Sequence, residues 1–216
     1  MKHGITQPIR LIAILRGISP GETPRIVECL LEAGFRAIEV PLNSSSPFKS
    51  IELAAKIAES LLPGKTLIGA GTVLDAEDVD RLHSCGANLI VSPNVNDKVI
   101  AAAVRLGMTC LPGVFTPTEA HRALKAGATG LKFFPAFKLG PDGIAAIRAT
   151  LPADSRLFAV GGIGSADFSR YFDIGVEGFG TGSSLYRPGM VTKEIKPLAE
   201  AMVESMESAL AKASSQ

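Results

Sequence analysis

The chain has 216 residues, of which 46% are apolar and 20% are charged, and its formal net charge at pH 7 is +1. This length favours one large domain with a substantial core over two small domains. The balanced charge gives no electrostatic basis for binding nucleic acid or an anionic membrane. No apolar run approaches the length of a membrane span and the N-terminus lacks the pattern of a signal peptide, so we expect a cytoplasmic protein.

Cysteine and histidine usage indicates neither a disulfide framework nor a metal site. Cys29, Cys85 and Cys110 have no close spacing, and we interpret them as buried thiols in a reducing cytoplasm. The three histidines share no ligand spacing, so we expect no metal. We interpret the pair Phe133-Phe134 as core and cavity wall and not as a cofactor site, and we expect no cofactor.

Short apolar strands alternate with helical patterns along the whole chain. Strands are predicted at 11–15, 36–40, 66–71, 88–92, 108–112, 129–134, 156–160 and 176–180. Helices are predicted from a Thr23 cap to Gly34, and at 47–62, 75–85, 97–106, 116–125, 141–151, 165–173 and about 190–212. Thr116-Pro117-Thr118-Glu119 is a capping box. The last helix is predicted to bury one stripe, consisting of Ile195, Leu198, Met202, Met206 and Leu210.

Eight such units at this length predict a closed (β/α)8 TIM barrel, with residues 1–216 as a single domain. A doubly wound open sheet is the structural alternative. It normally has fewer units and carries a glycine fingerprint after its first strand, where this sequence has only Arg16-Gly17.

The spacing between helix-ending glycines and the next strand predicts which strand residues face the barrel interior. Large apolar residues occur four positions after each of five glycines and are predicted to face the helices: Ile38, Ile90, Leu111, Leu131 and Phe179. Because strand side chains alternate between faces, the next residues are predicted to point into the barrel: Glu39, Val91, Pro112, Lys132 and Gly180. Glu39 and Lys132 should therefore face one cavity at the C-terminal end of the barrel, where such barrels place their active sites.

The two ionisable inward residues have the chemistry of a Schiff-base enzyme. Desolvation lowers the pKa of a buried lysine, which makes Lys132 a candidate amine nucleophile, and Glu39 a candidate general acid and base. The alternative is a buried ion pair without catalytic work. Arg16, at the end of the first strand, suits a carboxylate, although it could also be an ordinary loop arginine.

Two glycine-rich turns, 160–164 and 180–184, follow the seventh and eighth strands. Barrels commonly bind phosphate there, because bare backbone N–H groups can approach the anion. Gly69-Ala70-Gly71-Thr72 is either a third such turn or a place where substrate approaches closely while Thr72 donates a hydrogen bond.

Taken together, several segments resemble the bacterial 2-keto-3-deoxy-6-phosphosugar aldolases: Ile14-Leu15-Arg16-Gly17, Glu39-Val40-Pro41-Leu42-Asn43-Ser44, Gly69-Ala70-Gly71-Thr72-Val73, Ser92-Pro93, Leu131-Lys132-Phe133-Phe134-Pro135 and Gly161-Gly162-Ile163. The resemblance covers essentially the whole chain. It implies a homotrimeric class I aldolase on a (β/α)8 barrel that uses no metal.

The resemblance also implies roles for individual residues. Lys132 would form the Schiff base and Glu39 would transfer protons, partly through water. The substrate-binding residues would be Arg16 and Thr72 at the pyruvyl carboxylate, Gly161, Gly162, Gly182 and Ser183 at the phosphate, and in addition Pro93 and Val160.

Two departures predict the branch of the family. The gluconate branch typically reads Glu-Val-Thr-Leu-Arg after the catalytic glutamate, whereas this chain reads Glu39-Val40-Pro41-Leu42-Asn43. Val160 stands where that branch has threonine, and loss of a hydroxyl partner should change the preference at the C4 hydroxyl of the sugar. We therefore predict the galactonate epimer as substrate, with the gluconate epimer as the alternative. Two hypotheses from other functional classes remain open. One is a phosphate-binding isomerase or synthase that works without a covalent intermediate, and the other is a non-catalytic sugar-phosphate binding protein.

Overall fold

The structure, a computed structural model, describes residues 8–213. Its strands are β1 (Leu11–Ile14), β2 (Ala37–Pro41), β3 (Leu67–Gly71), β4 (Leu89–Val91), β5 (Thr109–Leu111), β6 (Gly113–Val114), β7 (Leu131–Phe133), β8 (Leu157–Val160) and β9 (Gly178–Thr181). Its helices are α1 (Thr23–Glu32), α2 (Pro47–Leu61), α3 (Ala76–Ser84), α4 (Asp97–Arg105), α5 (Pro117–Lys125), α6 (Ala136–Arg148), α7 (Phe168–Phe172) and α8 (Thr192–Ala213), with a 3-10 turn at Ser165–Asp167 before α7.

The strands form a closed parallel barrel. The sheet runs in the order β5-β4-β3-β2-β1-β9-β8-β7-β6, and every pairing in it is parallel. The two ends of this order, β5 and β6, are separated in the chain only by Pro112, so they act as two halves of one strand and close the ring. The (β/α)8 barrel predicted from the sequence is confirmed, and the open-sheet alternative is wrong.

Apolar residues occupy two layers. The larger cluster lies between the barrel and the surrounding helices, and a smaller cluster fills the barrel interior with Ile9, Ile12, Ala37, Leu67, Leu89, Val91, Leu111 and Phe158. Ala37 precedes Glu39 by two residues on the same face of β2, so this inner cluster closes the barrel below the ionisable pair.

The predicted register is correct for four of the five strands that follow a helix-ending glycine. Ile38, Ile90, Leu131 and Phe179 lie in the outer layer, as expected. Strand β5 is one residue out of register, because Cys110 lies in the outer layer and Leu111 in the inner one. The prediction that Leu111 faces the helices is therefore wrong, and so is the prediction that Pro112 points into the barrel.

The physical reason is that one residue fewer separates the helix-ending glycine from the regular part of β5 than in β2. In β5 the alternation between outward and inward side chains starts at Met108, immediately after Gly107, since Met108 and Cys110 both lie in the outer layer. In β2 the outward residues after Gly34 are Phe35 and Ile38, so one extra residue separates the helix end from the regular strand.

Some predicted helix ends also need correction. Helix α6 begins at Ala136, five residues before the predicted start, and is interrupted at Gly140, whose φ is 66°. Thr23 does not cap α1 but is its first residue, and its hydroxyl donates to the carbonyl of Ser19. The capping box of Thr116 and Glu119 is confirmed.

Helix α8 covers most of the predicted last helix, and Ile195 and Met202 are buried as expected. Leu198 is exposed, and Ala199 takes the inner position instead. In the part of the chain that the structure describes, no helix combines the length and the apolar character needed to cross a membrane.

Candidate active site

The candidate site lies at the C-terminal end of the barrel and is centred on two buried ionisable side chains. Lys132 is 6% exposed and Glu39 is 2% exposed. Lys132 is the middle residue of β7 and pairs in register with Gly113 and Phe158. Glu39 is the middle residue of β2 and pairs with Ile14 and Gly69. Counted around the closed ring, β2 and β7 are diametrically opposite, so the two side chains enter the interior from opposite walls.

The surroundings of Lys132 favour its neutral amine. Burial lowers the pKa of Lys132, the nearby Glu39 carboxylate raises it, and the Arg16 guanidinium lowers it further; the balance is a lowered pKa. The Nζ atom lies over the Phe134 ring, 4.7 Å from its centroid. A buried lysine with a lowered pKa carries a larger fraction of nucleophilic amine near neutral pH.

The surroundings of Glu39 produce a carboxyl that titrates near neutrality. Burial raises the pKa of Glu39 to about 7, against smaller lowering effects of Lys132, Arg16 and the Gly71 backbone N–H. Within residues 8–213, its buried Oε2 has no hydrogen-bond partner. A carboxyl with a pKa near the working pH can both give and accept a proton.

Gly71 makes room for this carboxyl. A Cβ atom at position 71 would lie 2.0 Å from Glu39 Oε2 and 2.4 Å from its Cδ, so any larger residue would displace the side chain. The glycine at the end of β3 is therefore required by a close approach between two neighbouring strands.

Arg16 lies at the mouth of the barrel, just after β1, and is exposed. Its Nη1 donates to Asn43 Oδ1 over 2.5 Å, and Asn43 is also exposed, in the loop after β2. Because the Arg16 charge affects the pKa of both Glu39 and Lys132, the guanidinium lies within electrostatic reach of the pair.

Thr72 adopts a strained backbone conformation next to the site. Its φ is 57°, in the left-handed region that a β-branched residue rarely occupies. Both backbone polar groups of the next residue, Val73, form hydrogen bonds. Val73 N–H donates to Val91 O over 3.2 Å, and Ser92 Oγ donates to Val73 O over 2.8 Å. This anchoring holds Thr72 in its turn. Pro93, next to Ser92, is half-buried.

The first glycine-rich turn packs against the segment that carries the lysine. Gly161 and Gly162 have φ of 94° and 70°, and a Cβ on Gly161 would lie 3.2 Å from the Phe134 ring. A Cβ on Gly162 would lie 2.8 Å from Phe137 Cβ. Since Phe134 contacts both the Lys132 amine and Gly161, one ring joins the turn to the candidate nucleophile.

The second glycine-rich turn follows β9. The carbonyl of Gly182 accepts from the N–H groups of Leu185 and Tyr186, and Ser183 is exposed. Within residues 8–213, the N–H groups of Gly161, Gly162, Gly182 and Ser183 donate no hydrogen bond to the protein. Such unpaired N–H groups at the ends of adjacent strands suit an anion.

Comparison with known proteins agrees with this geometry. The family model for KDPG and KHG aldolase matches residues 4–204, nearly the whole chain. This protein belongs to the KDPG and KHG aldolase family.

Individual members of the family support the assignment. A Rhizobium meliloti protein named probable 2-dehydro-3-deoxy-6-phosphogalactonate aldolase is 55% identical over 186 residues, 86% of each chain. The solved native KDPGal structure has a TM-score of 0.87 at 45% identity, covering 93% of this chain and 95% of its own. The KDPG aldolase of Legionella pneumophila, solved with pyruvate captured as a covalent carbinolamine, has a TM-score of 0.79 at 25% identity, covering 94% of this chain and 98% of its own.

The aldolase fold brings together further residues that are not among the catalytic and substrate-binding residues predicted from the sequence. Gly71, Asn43, Ser92 and Phe134 each contact a predicted site residue or fix its backbone. Their sequence signals are their positions at strand ends and within the segments that resemble the family, whereas the contacts themselves join segments far apart in the chain. Among the residues that the structure describes, no three His, Cys, Asp or Glu side chains cluster in a way that could hold a metal ion.

Proposed function

We propose that this aldolase cleaves 2-dehydro-3-deoxy-6-phospho-D-galactonate to pyruvate and D-glyceraldehyde 3-phosphate through a Schiff base on Lys132. The observation that carries the proposal is the burial of Lys132 opposite Glu39 inside the mouth of a barrel that belongs to an aldolase family. The name of the Rhizobium meliloti relative supports the galactonate substrate.

The first stage forms the covalent intermediate. The neutral amine of Lys132 attacks the C2 ketone of the substrate, and the resulting carbinolamine loses water to give a protonated imine. Burial lowers the pKa of Lys132, so the attacking amine is available. Glu39, whose pKa is about 7, protonates the departing hydroxyl.

The second stage breaks the C3–C4 bond. A base removes the proton of the C4 hydroxyl, the C4 oxygen becomes the aldehyde of glyceraldehyde 3-phosphate, and the electrons of the C3–C4 bond move into the imine to form an enamine. Protonation of the enamine at C3 and attack of water at C2 then release pyruvate and regenerate the Lys132 amine. Glu39 is the buried acid-base group available for these transfers, partly through water.

The remaining predicted residues hold the two ends of the substrate. Arg16, whose charge acts on both Glu39 and Lys132, and Thr72, which follows Gly71, would bind the C1 carboxylate, for which a guanidinium is a strong partner. Gly161, Gly162, Gly182 and Ser183 would bind the phosphate through their unpaired N–H groups. Pro93 would line the mouth beside Thr72.

Val160 supports the galactonate assignment. Its side chain is 5% exposed, and its Cγ2 would lie 2.7 Å from a Cβ on Gly180, so it points into the barrel interior. An apolar wall here offers no hydrogen bond to a substrate hydroxyl. A site that lacks this bond should discriminate against the epimer that needs it.

The covalent step is tested by incubating the protein with pyruvate and sodium borohydride and mapping the product by peptide mass spectrometry. We expect a pyruvyl-derived mass on the peptide that contains Lys132, with loss of activity. Lys132→Met should abolish the adduct, whereas Lys125→Met, at the exposed end of α5, should not. An adduct spread over surface lysines, or none, would contradict the proposal.

The substrate is tested by measuring kcat/KM for the galactonate and gluconate epimers. We expect the galactonate epimer to be preferred. A kcat/KM at least tenfold higher for the gluconate epimer would overturn the galactonate assignment and leave the Schiff-base mechanism intact.

We also propose that the aldolase acts as a cytoplasmic homotrimer. Four exposed large apolar side chains follow strands β3, β6 and β7, namely Leu74, Phe115, Phe134 and Phe137, and assembly would cover such residues. Light scattering after size-exclusion chromatography should give three times the chain mass of 22.5 kDa. A monomer or dimer mass would contradict the trimer.

A further inference from the structure

We propose that Asn43 is a positioning residue that holds the Arg16 guanidinium at the mouth of the barrel for the carboxylate of the substrate. This inference rests on the proposed function. It starts from the 2.5 Å hydrogen bond in which Arg16 Nη1 donates to Asn43 Oδ1. The two residues are 27 positions apart in the chain and lie in the loops that follow the adjacent strands β1 and β2.

The bond is one of three that join the consecutive residues 15, 16 and 17 to β2 and the loop that follows it. Leu15 N–H donates to Glu39 O over 2.9 Å, and Gly17 N–H donates to Ser44 Oγ over 2.9 Å, on either side of the Arg16–Asn43 bond. The backbone around Arg16 is therefore fixed by the strand that carries Glu39 and by the loop after it. Only the long arginine side chain remains to be oriented, and Asn43 is its hydrogen-bond partner in the structure.

An exposed arginine needs such a partner to point in one direction. A free arginine side chain loses rotamer entropy when it is ordered, and substrate binding must otherwise overcome this cost. Holding the guanidinium in place before the substrate arrives removes part of this cost. Because Arg16 influences the pKa of both Glu39 and Lys132, the orientation held by Asn43 is one in which the charge reaches the reacting groups.

The amide is suited to this task because it is neutral. It accepts one N–H and leaves the guanidinium its full charge and its other donors for a carboxylate. An aspartate in this position would also accept the hydrogen bond but would neutralise the charge. Asn43 can therefore orient the Arg16 side chain without neutralising its charge.

The test is a double-mutant cycle in the aldol addition of pyruvate to D-glyceraldehyde 3-phosphate. Asn43→Ala should raise KM for pyruvate about tenfold, the scale of one hydrogen bond to a charged group, while kcat changes less than KM. Arg16→Ala should raise it further, and Asn43→Ala should add nothing in the Arg16→Ala background. Asn43→Asp should also raise KM for pyruvate, although it keeps an acceptor oxygen.

Ser45→Ala is the matched control, because Ser45 is exposed in the same loop and makes no hydrogen bond within residues 8–213. An unchanged KM in Asn43→Ala would overturn the inference. So would a full tenfold effect in the Arg16→Ala background, since Asn43 would then contact the substrate directly. In both cases the Lys132 adduct would persist and the proposed function would stand, whereas a wild-type protein without adduct or turnover would overturn both.

Discussion

Glu39 and Lys132 lie on strands that are four places apart in either direction around the barrel, and both side chains are buried in its interior. Each therefore acts on the other across the cavity, where water screens their charges less than at the surface. Burial is the largest influence on both, and it moves the two pKa values toward each other. A carboxyl that can hold a proton and an amine that can lose one are the two groups that Schiff-base chemistry requires.

Glu39→Gln should lower turnover by roughly 10²–10⁴-fold, the usual scale for losing a positioned acid-base group. In the wild-type enzyme, the pH profile of kcat/KM should bend near pH 7, because the pKa of Glu39 is about 7. Steady-state kinetics from pH 5 to pH 9 measure both effects. The bend should disappear in the variant, and wild-type turnover in Glu39→Gln would remove Glu39 from the mechanism.

The same substitution should change how stability depends on pH. The pKa of Glu39 is raised from 4.5 to about 7 in the folded protein, so within this range the folded state holds a proton that the unfolded state has released. The contribution of Glu39 to the free energy of unfolding therefore falls as pH rises from 4.5 to 7 and stays low above it.

Relative to wild type, Glu39→Gln should gain stability between pH 4.5 and pH 8, by up to about 3 kcal/mol. Urea unfolding at these two pH values measures the difference. Glu207→Gln, on the exposed side of α8, is the control and should show no such trend. A constant difference between variant and wild type would contradict the raised pKa.

Gly71→Ala should reduce turnover by a factor similar to Glu39→Gln, because the new methyl group would occupy the place of the Glu39 carboxyl. The φ of Gly71 is not in the left-handed region, so the backbone accepts alanine and the fold should persist. Gly21→Ala, where a Cβ meets nothing within 4 Å, is the matched control. In the Glu39→Gln background the Gly71→Ala change should have little further effect on kcat.

Gly162→Ala should raise KM for D-glyceraldehyde 3-phosphate about tenfold or more, since it strains a residue with φ of 70° and brings a methyl group against Phe137. Trapping of pyruvate on Lys132 should be unaffected, because pyruvate carries no phosphate group for the turn to bind. Gly64→Ala has a similar φ of 66° and open space around it, so it controls for backbone strain alone. Equal kinetic losses in both variants would argue against a phosphate role for Gly162.

Val160→Thr should shift the ratio of kcat/KM for the two C4 epimers toward the gluconate epimer. The added hydroxyl would face the barrel interior beside Gly180 and supply a hydrogen bond that valine lacks. A shift of about tenfold corresponds to one such bond. Val160→Ala, which adds no hydroxyl, should leave the ratio near that of the wild type, and an unchanged ratio in Val160→Thr would exclude this position as the determinant.

The fold and the central ionisable pair follow from local sequence patterns. Eight apolar strands alternating with helices required a closed parallel barrel, and the two-residue period of a strand placed Glu39 and Lys132 on inner positions. The register counted from the helix-ending glycine is wrong at β5, where Leu111 faces inward. The number of residues between a helix end and a regular strand is set by packing and not by the local pattern. Local patterns also missed the first turn of α6 and the exposure of Leu198.

The contacts that hold the site in place depend on tertiary packing. The contact of Gly71 with Glu39, the bond from Arg16 to Asn43 and the anchoring of Thr72 through Val73 and Ser92 all join different strand ends. Periodicity tells which face a side chain occupies, but these contacts depend on the relative positions of neighbouring strands and on side-chain conformations. Those are fixed only when the barrel closes, because packing the whole ring sets the distances between residues that are far apart in the chain.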